Sequence, residues 1–226
     1  MKRTLKIFAG LLFLCALAYG MIWLTRYRAL LPGYRSAFYT PEAYKKECRS
    51  IRKAADTLSV RERSQLLRET VSEKLFPYWE GTRWGFNGTT ETPGTGQIAC
   101  GYFVMTVLRD AGFEIERVKL AQLGSEDAIK KIVAKKNIAR YSKTSLDDFL
   151  TRIRKNGDQL YLVGLDSHIG FLSCENGKCW FIHSGGGWPA SVVKEKAEEC
   201  NALAKSNYRV TGCLTTDDSL LMRWGD

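Results

Sequence analysis

The spacing of apolar and polar residues divides the chain into an apolar head, a helical middle and a strand-rich tail. Residues 7–24 are uncharged and largely apolar. Beyond residue 40, Tyr44, Cys48, Ile51 and Ala55 recur at helical spacing behind Thr40-Pro41, a helix start with proline at its first position. A second helix is predicted from Ser59, which has capping-box spacing to Glu62, with Leu66, Leu67, Val71 and Leu75 as its apolar stripe. Residues 76–96 show no period and are rich in glycine, threonine and aromatics, which predicts a long surface loop. Such loops in compact domains often carry function. Helical spacing resumes at Tyr102, Phe103, Val107 and Leu108 and stops at Gly112. Further helices are predicted near 125–136 and 145–155, the latter opened by Thr144 or Ser145. Short apolar runs follow at 159–165, 167–173, 179–184 and 207–214, with a helical pattern over 192–206. Helices first and strands second predict an α+β domain with N-terminal helices packed on an antiparallel sheet.

The apolar head alters the reading of location. Residues 7–24 follow the basic MKRTLK and precede Arg26 and Arg28, and their length is at the lower edge of a membrane-spanning helix. Ala18-Tyr19-Gly20 offers a small-x-small cleavage site, but the apolar run continues through Leu24. Residues 1–35 are therefore read as an uncleaved signal anchor and linker, with residues 36–226 extracytoplasmic; cleavage would make the protein secreted. Cys15 follows a bulky leucine, unlike a lipoprotein site. With 226 residues and 45% hydrophobic content, the chain suits one substantial core. The net charge of +10 suits an anionic surface, but the basic residues are dispersed and read as a solvated face. No nucleic-acid motif, paired CxxC, phosphate-cradling loop or repeat is present.

Seven cysteines then need sorting. Export permits disulfides. Cys174 and Cys179 bracket the turn ENGK and suit a staple across a hairpin, while Cys200 and Cys213 have each other or Cys48 as candidate partners. These spacings make a poor metal site, and no cofactor is expected. Cys100, in GQIACGYFVMTVLRDAG, lies in the first turn of its helix, where the helix N-terminus favours a thiolate. It reads as a nucleophile, a buried thiol or half of a disulfide. The chain's two histidines bear on that choice. His168 starts one predicted strand and His183 ends the next, and antiparallel pairing puts a start beside an end. A thiol nucleophile needs a base, and the base needs a third group to fix its tautomer. Cys100, His168 and His183 supply those types, with Asp166 as an alternative third member.

The order Trp84-Gly85, Cys100 with Phe103, His168-Ile169-Gly170-Phe171 and Ile182-His183 resembles the papain-like fold, most closely its NlpC-type branch of exported cysteine peptidases and amidases, relatives of the CHAP amidases. The resemblance spans residues 76–190. It implies Cys100 as nucleophile, His168 as general base and later acid, and His183 as the orienting residue. It also implies a peptide or peptidoglycan-like substrate. The pattern departs from the family at Ala99-Cys100-Gly101-Tyr102, where Asp-Cys-Ser-Gly is usual, and at Thr82, where a tyrosine is common. Gln97 is a candidate oxyanion donor beside the Cys100 backbone N–H. Trp84 and Trp188, the latter within HSGGGWPAS, are candidate cleft walls. The expectation is a membrane-tethered cysteine hydrolase working through an acyl-enzyme. Acyl transfer by the same residues and an inactive anchored scaffold are its alternatives.

Overall fold

The computed structural model describes residues 17, 19–20, 39–187 and 190–224. The chain divides between residues 38 and 39. The anchor and linker expected over residues 1–35 lie almost wholly outside the described residues. Among those described, no helix is long and apolar enough to cross a membrane.

Thr40 caps α1 (Pro41–Ala55) by accepting from the N–H of Ala43, and Tyr44, Cys48, Ile51 and Ala55 form its buried face. A reciprocal capping box between Ser59 and Glu62 opens α2 (Val60–Glu69). This helix widens into a π-helical turn over Thr70–Leu75 and ends in the single turn α3 (Phe76–Trp79). Pro77 cannot donate to the helical ladder and crowds the carbonyl four residues back, which the wider turn accommodates. After the loop come α4 (Cys100–Ala111), α5 (Arg117–Ala121) and α6 (Ser125–Ile132), then α7 (Leu146–Arg154), with Ser145 as its cap.

The strands are β1 (Arg83–Trp84), β2 (Gln97–Ile98), β3 (Ile138–Ser142), β4 (Leu160–Leu165), β5 (Ile169–Glu175), β6 (Lys178–Gly185), β7 (Ser191–Lys196) and β8 (Tyr208–Cys213). They form one eight-stranded sheet in the order β2-β1-β7-β6-β5-β4-β8-β3. The architecture is α+β, but the sheet is mixed and not purely antiparallel, because β1 and β2 pair in parallel. Both are two-residue strands inside or beside the loop read as irregular, too short to show a period. Two helical expectations also change. The helix near 125–136 ends at Ile132, and residues 138–142 instead pair with β8. The 192–206 pattern begins as strand β7, followed by a 3-10 turn and the short α8 (Asn201–Lys205). Pairing with β6 outweighs the helix propensity of that Lys- and Glu-rich segment.

Each sheet face buries its own core. Leu162, Phe171, Ile182 and Val210 pack against α1–α4 and α6. Tyr161, Val163, Leu172 and Phe181 pack against Phe149, Leu150 and Ile153 of α7, and against Cys200 and Leu203. Strand β4 is buried at all six positions, as its unbroken apolar run requires. An edge-to-face series of rings, Tyr44–Trp79–Phe103–Phe171, links α1 to β5 through α4. Trp79 Nε1 donates to the Tyr44 hydroxyl, which donates to Asp110 at 2.8 Å, so these three buried polar groups are paired. A disulfide joins Cys174 and Cys179 directly across the β5–β6 hairpin. Cys48, Cys100, Cys200 and Cys213 are free, so the expected pairing among positions 48, 200 and 213 does not form. The last short helix, α9 (Asp218–Met222), precedes Trp224, which stacks on Phe113 and donates to the Ala111 carbonyl.

Candidate active site

Cys100 is the first residue of α4 and is partly exposed. Ala99 at the N-cap has no side-chain hydrogen bond to the helix, and no acidic residue occupies the first turn. The first-turn N–H groups therefore lack a capping side chain, and the positive end of the helix is left uncompensated beside the thiol. Such a cap deficit costs about 1 kcal/mol. It leaves backbone donors for an oxyanion formed at Cys100.

The segment bearing this thiol is tied to the strand bearing His183. Ser184 Oγ donates to the Ile98 carbonyl at 2.7 Å. Arg117 holds the preceding loop, donating to Thr106 Oγ1 and to the Thr89 and Thr90 carbonyls while lying over the Tyr102 ring.

His168 ends the tight turn between β4 and β5, closed by a Leu165 N–H to His168 carbonyl hydrogen bond of 2.8 Å. Its Nε2 is 2.8 Å from His183 Nδ1, and the rings are perpendicular. His183 Nε2 is 2.9 Å from Glu195 Oε1. The register explains the last contact. His183 is opposite Val193 in the β6–β7 ladder, and Glu195 lies two residues further along the same face. Close approach of these rings needs small neighbours. A Cβ on Gly185 would come within 2.8 Å of two His183 ring atoms, and one on Gly170 within 2.9 Å of His183 Cβ.

These contacts fix the tautomers. The Glu195 carboxylate only accepts, so His183 Nε2 carries the hydrogen and Nδ1 presents a lone pair. That lone pair accepts from His168 Nε2–H, which leaves the lone pair of His168 on Nδ1, outside the relay. Burial, and next the adjacent His183 ring, push the His168 imidazolium down to about 3, against an opposing pull from Glu195. The ring is thus neutral at physiological pH, and the same burial makes it a weaker base than a free imidazole.

Cys100 and His168 line one cavity of about 210 Å³, with Asp166 also in its wall. Asp166 does not take the third place in the relay. Its carboxylate accepts the N–H groups of Asn207 and Tyr208, pinning the turn that carries His168 to β8. Gln97 is exposed, and a Cβ on Gly85 would strike its side chain. The half-buried Trp84 ring lies against Gly186, and neither Gln97 nor Trp84 is among the described residues lining the cavity. Trp188 lies outside the described residues.

Glu195 is the member that sequence reasoning missed, because the pattern over 192–206 reads as helix. The alternation signal is weak there, since β7 is only half buried along its length. Donor atoms of His183, Glu195 and Cys200 lie within 4.8 Å of one another. Burial and then the Glu195 charge push the Cys200 thiol up to about 12, so it stays protonated. An ion bound by all three would have to displace the His183 Nε2 hydrogen on which the tautomer chain depends.

Compared with protein-family models, with curated proteins and with solved structures, the chain matches none.

Proposed function

We propose that this protein is a membrane-tethered, exported cysteine hydrolase with a papain-like, NlpC-type arrangement, cleaving an amide or ester bond through an acyl-enzyme. The observation that carries the reading is the hydrogen-bonded series Glu195–His183–His168, which ends on the cavity that the free thiol of Cys100 also lines. In this reading, His168 Nδ1 takes the thiol proton as Sγ bonds to the substrate carbonyl carbon. The carbonyl electrons move onto oxygen, where the Cys100 backbone N–H stabilises them. As the intermediate collapses, the carbon–nitrogen or carbon–oxygen bond breaks, and the leaving group takes the proton from His168. Water, deprotonated by the same nitrogen, then releases the acid and restores the thiol. His183 holds the His168 tautomer and Glu195 stabilises its transient positive charge, much as a third member does in serine hydrolases.

The Cys174–Cys179 disulfide supports an oxidising, extracytoplasmic location. The free Cys100 thiol favours an enzyme over an inactive scaffold in which that cysteine is cross-linked. The family resemblance favours a peptide or peptidoglycan-like substrate, and an added amine acceptor distinguishes hydrolysis from acyl transfer.

The test is labelling of the full chain, in detergent, with a thiol-directed acylating probe at neutral pH. Cys100→Ala is expected to abolish labelling and His168→Ala to slow it by about 10²–10⁴-fold. Absence of labelling, or a rate indifferent to His168→Ala, overturns the reading.

A further inference from the structure

The cavity at Cys100 has walls that say more than the nucleophile does. Helices α5 and α6 supply much of its lining, and Met105, Leu120, Leu123, Ala128 and Ile169 make its surface somewhat more apolar than polar. Two of its polar members are already engaged. Ser125 Oγ donates to the Leu165 carbonyl, and the Asp166 carboxylate accepts two backbone N–H groups. Among the described residues no Lys or Arg side chain lines it, so an acidic substrate group would meet only the negative charge of Asp166 there.

The walls are held close by two glycines. A Cβ on Gly101 would meet the Ala121 carbonyl oxygen at 2.5 Å, and one on Gly164 would meet the Ser125 side chain at 2.7 Å. These small positions let α5 and α6 close over the end of α4. At about 210 Å³ the cavity is smaller than the roughly 300–1,000 Å³ of sites that enclose a drug-sized ligand. It holds about seven water-sized units, which is one side chain or a short aliphatic chain.

We propose that this cavity is the acyl pocket and that it selects an uncharged, apolar acyl group, either a short aliphatic chain or the apolar side chain of the residue giving up its carbonyl. This rests on the catalytic reading of Cys100. The acyl group is assigned to the cavity because it is the part that remains bonded to Sγ, while the leaving group departs with its proton. The step is the acyl transfer to Sγ given above, which expels the amine or alcohol, followed by hydrolysis of the thioester by water.

Two substitutions probe the walls without disturbing the relay. Gly124 lines the cavity with an unstrained φ of −56°, and a Cβ there meets nothing within 4 Å, so Gly124→Leu narrows the space. Leu123 is 38% exposed and tolerates Leu123→Lys, which brings a cation to the wall.

The experiment measures Cys100-dependent turnover by the full chain of p-nitrophenyl acetate, butyrate, hexanoate, octanoate and hemisuccinate. A parallel arm uses peptides whose scissile carbonyl comes from Leu, Glu or Lys. Specificity, as kcat/KM, is expected to rise about fourfold per methylene until the cavity is filled. Hemisuccinate and the Glu and Lys peptides are expected to be poor substrates. Gly124→Leu should shorten the optimal chain, and Leu123→Lys should improve hemisuccinate relative to butyrate. A gain confined to the ester series identifies a fatty-acyl donor, and one confined to the Leu peptide identifies a peptidyl donor; either supports an apolar acyl pocket. Cys100-dependent turnover that prefers charged acyl groups overturns the pocket assignment and leaves the nucleophile standing. Absence of Cys100-dependent turnover on every substrate overturns both.

Discussion

At the scale of single residues, Glu195 is where proton positions are set. It receives the His183 Nε2 hydrogen, and that choice propagates to the free nitrogen of His168. Glu195→Ala removes the acceptor, so His183 no longer has a reason to keep its hydrogen on Nε2. By analogy with a third triad member, kcat is expected to fall by about 10²–10⁴-fold with KM little changed. Glu195→Gln keeps a carbonyl acceptor and should recover part of the loss; full activity in both variants would remove Glu195 from the relay. His168 also leaves a trace in stability. Its folded-state value of about 3 lies below the ordinary 6.5, so the folded protein binds fewer protons than the unfolded chain. The stabilisation is complete above about pH 6.5 and is lost as the pH falls toward 3. Denaturant titrations across that window should show a loss of a few kcal/mol that is reduced in His168→Gln. Equal slopes in the two proteins would contradict the neutral, buried ring.

At the scale of elements, the geometry of the paired rings depends on strands whose side chains are bulky at His183 and absent beside it. Gly185→Ala puts a Cβ within 2.8 Å of the His183 ring, in a sheet already fixed by its ladders. The ring must tilt, and a displacement of about 1 Å is enough to cost roughly 10²-fold in rate. Overpacking costs about 1–3 kcal/mol in stability. Activity should therefore fall far more than the unfolding midpoint, as paired kinetics and thermal melts would show. A proportionate loss of both would make Gly185 a packing residue only. The helical side of the site was legible in the sequence at this scale. Capping at Thr40 and Ser59, the stop at Gly112 and the position of Cys100 at a helix start all follow from local spacing. β7 was not legible, because Lys194, Glu195 and Lys196 are good helix formers and are held extended by pairing with Trp180, Phe181 and Ile182.

At the scale of the whole molecule, the cross-strand disulfide closes a short loop, with a sequence separation of 5. Its removal in Cys174→Ser/Cys179→Ser is expected to cost about 2 kcal/mol by loop entropy. For a body of this size that is a fall of roughly 4–8 °C in Tm. The hairpin it spans also carries His168 at one end and His183 at the other, both remote from the bond. Activity at temperatures well below the melt should therefore be kept, and a loss there would mean that the staple sets the relay geometry. By itself the sequence determined the helix starts, the apolar runs of β4–β6, the hairpin cysteines and the adjacency of two histidines. Each of these depends on spacing within one or two neighbouring elements. Only the tertiary structure decided that Glu195 backs His183, that Asp166 pins a turn, and that α5 and α6 wall the space beside Cys100. Those contacts join positions from 12 to 42 apart. Register and packing against other elements, which local propensity does not encode, bring them together.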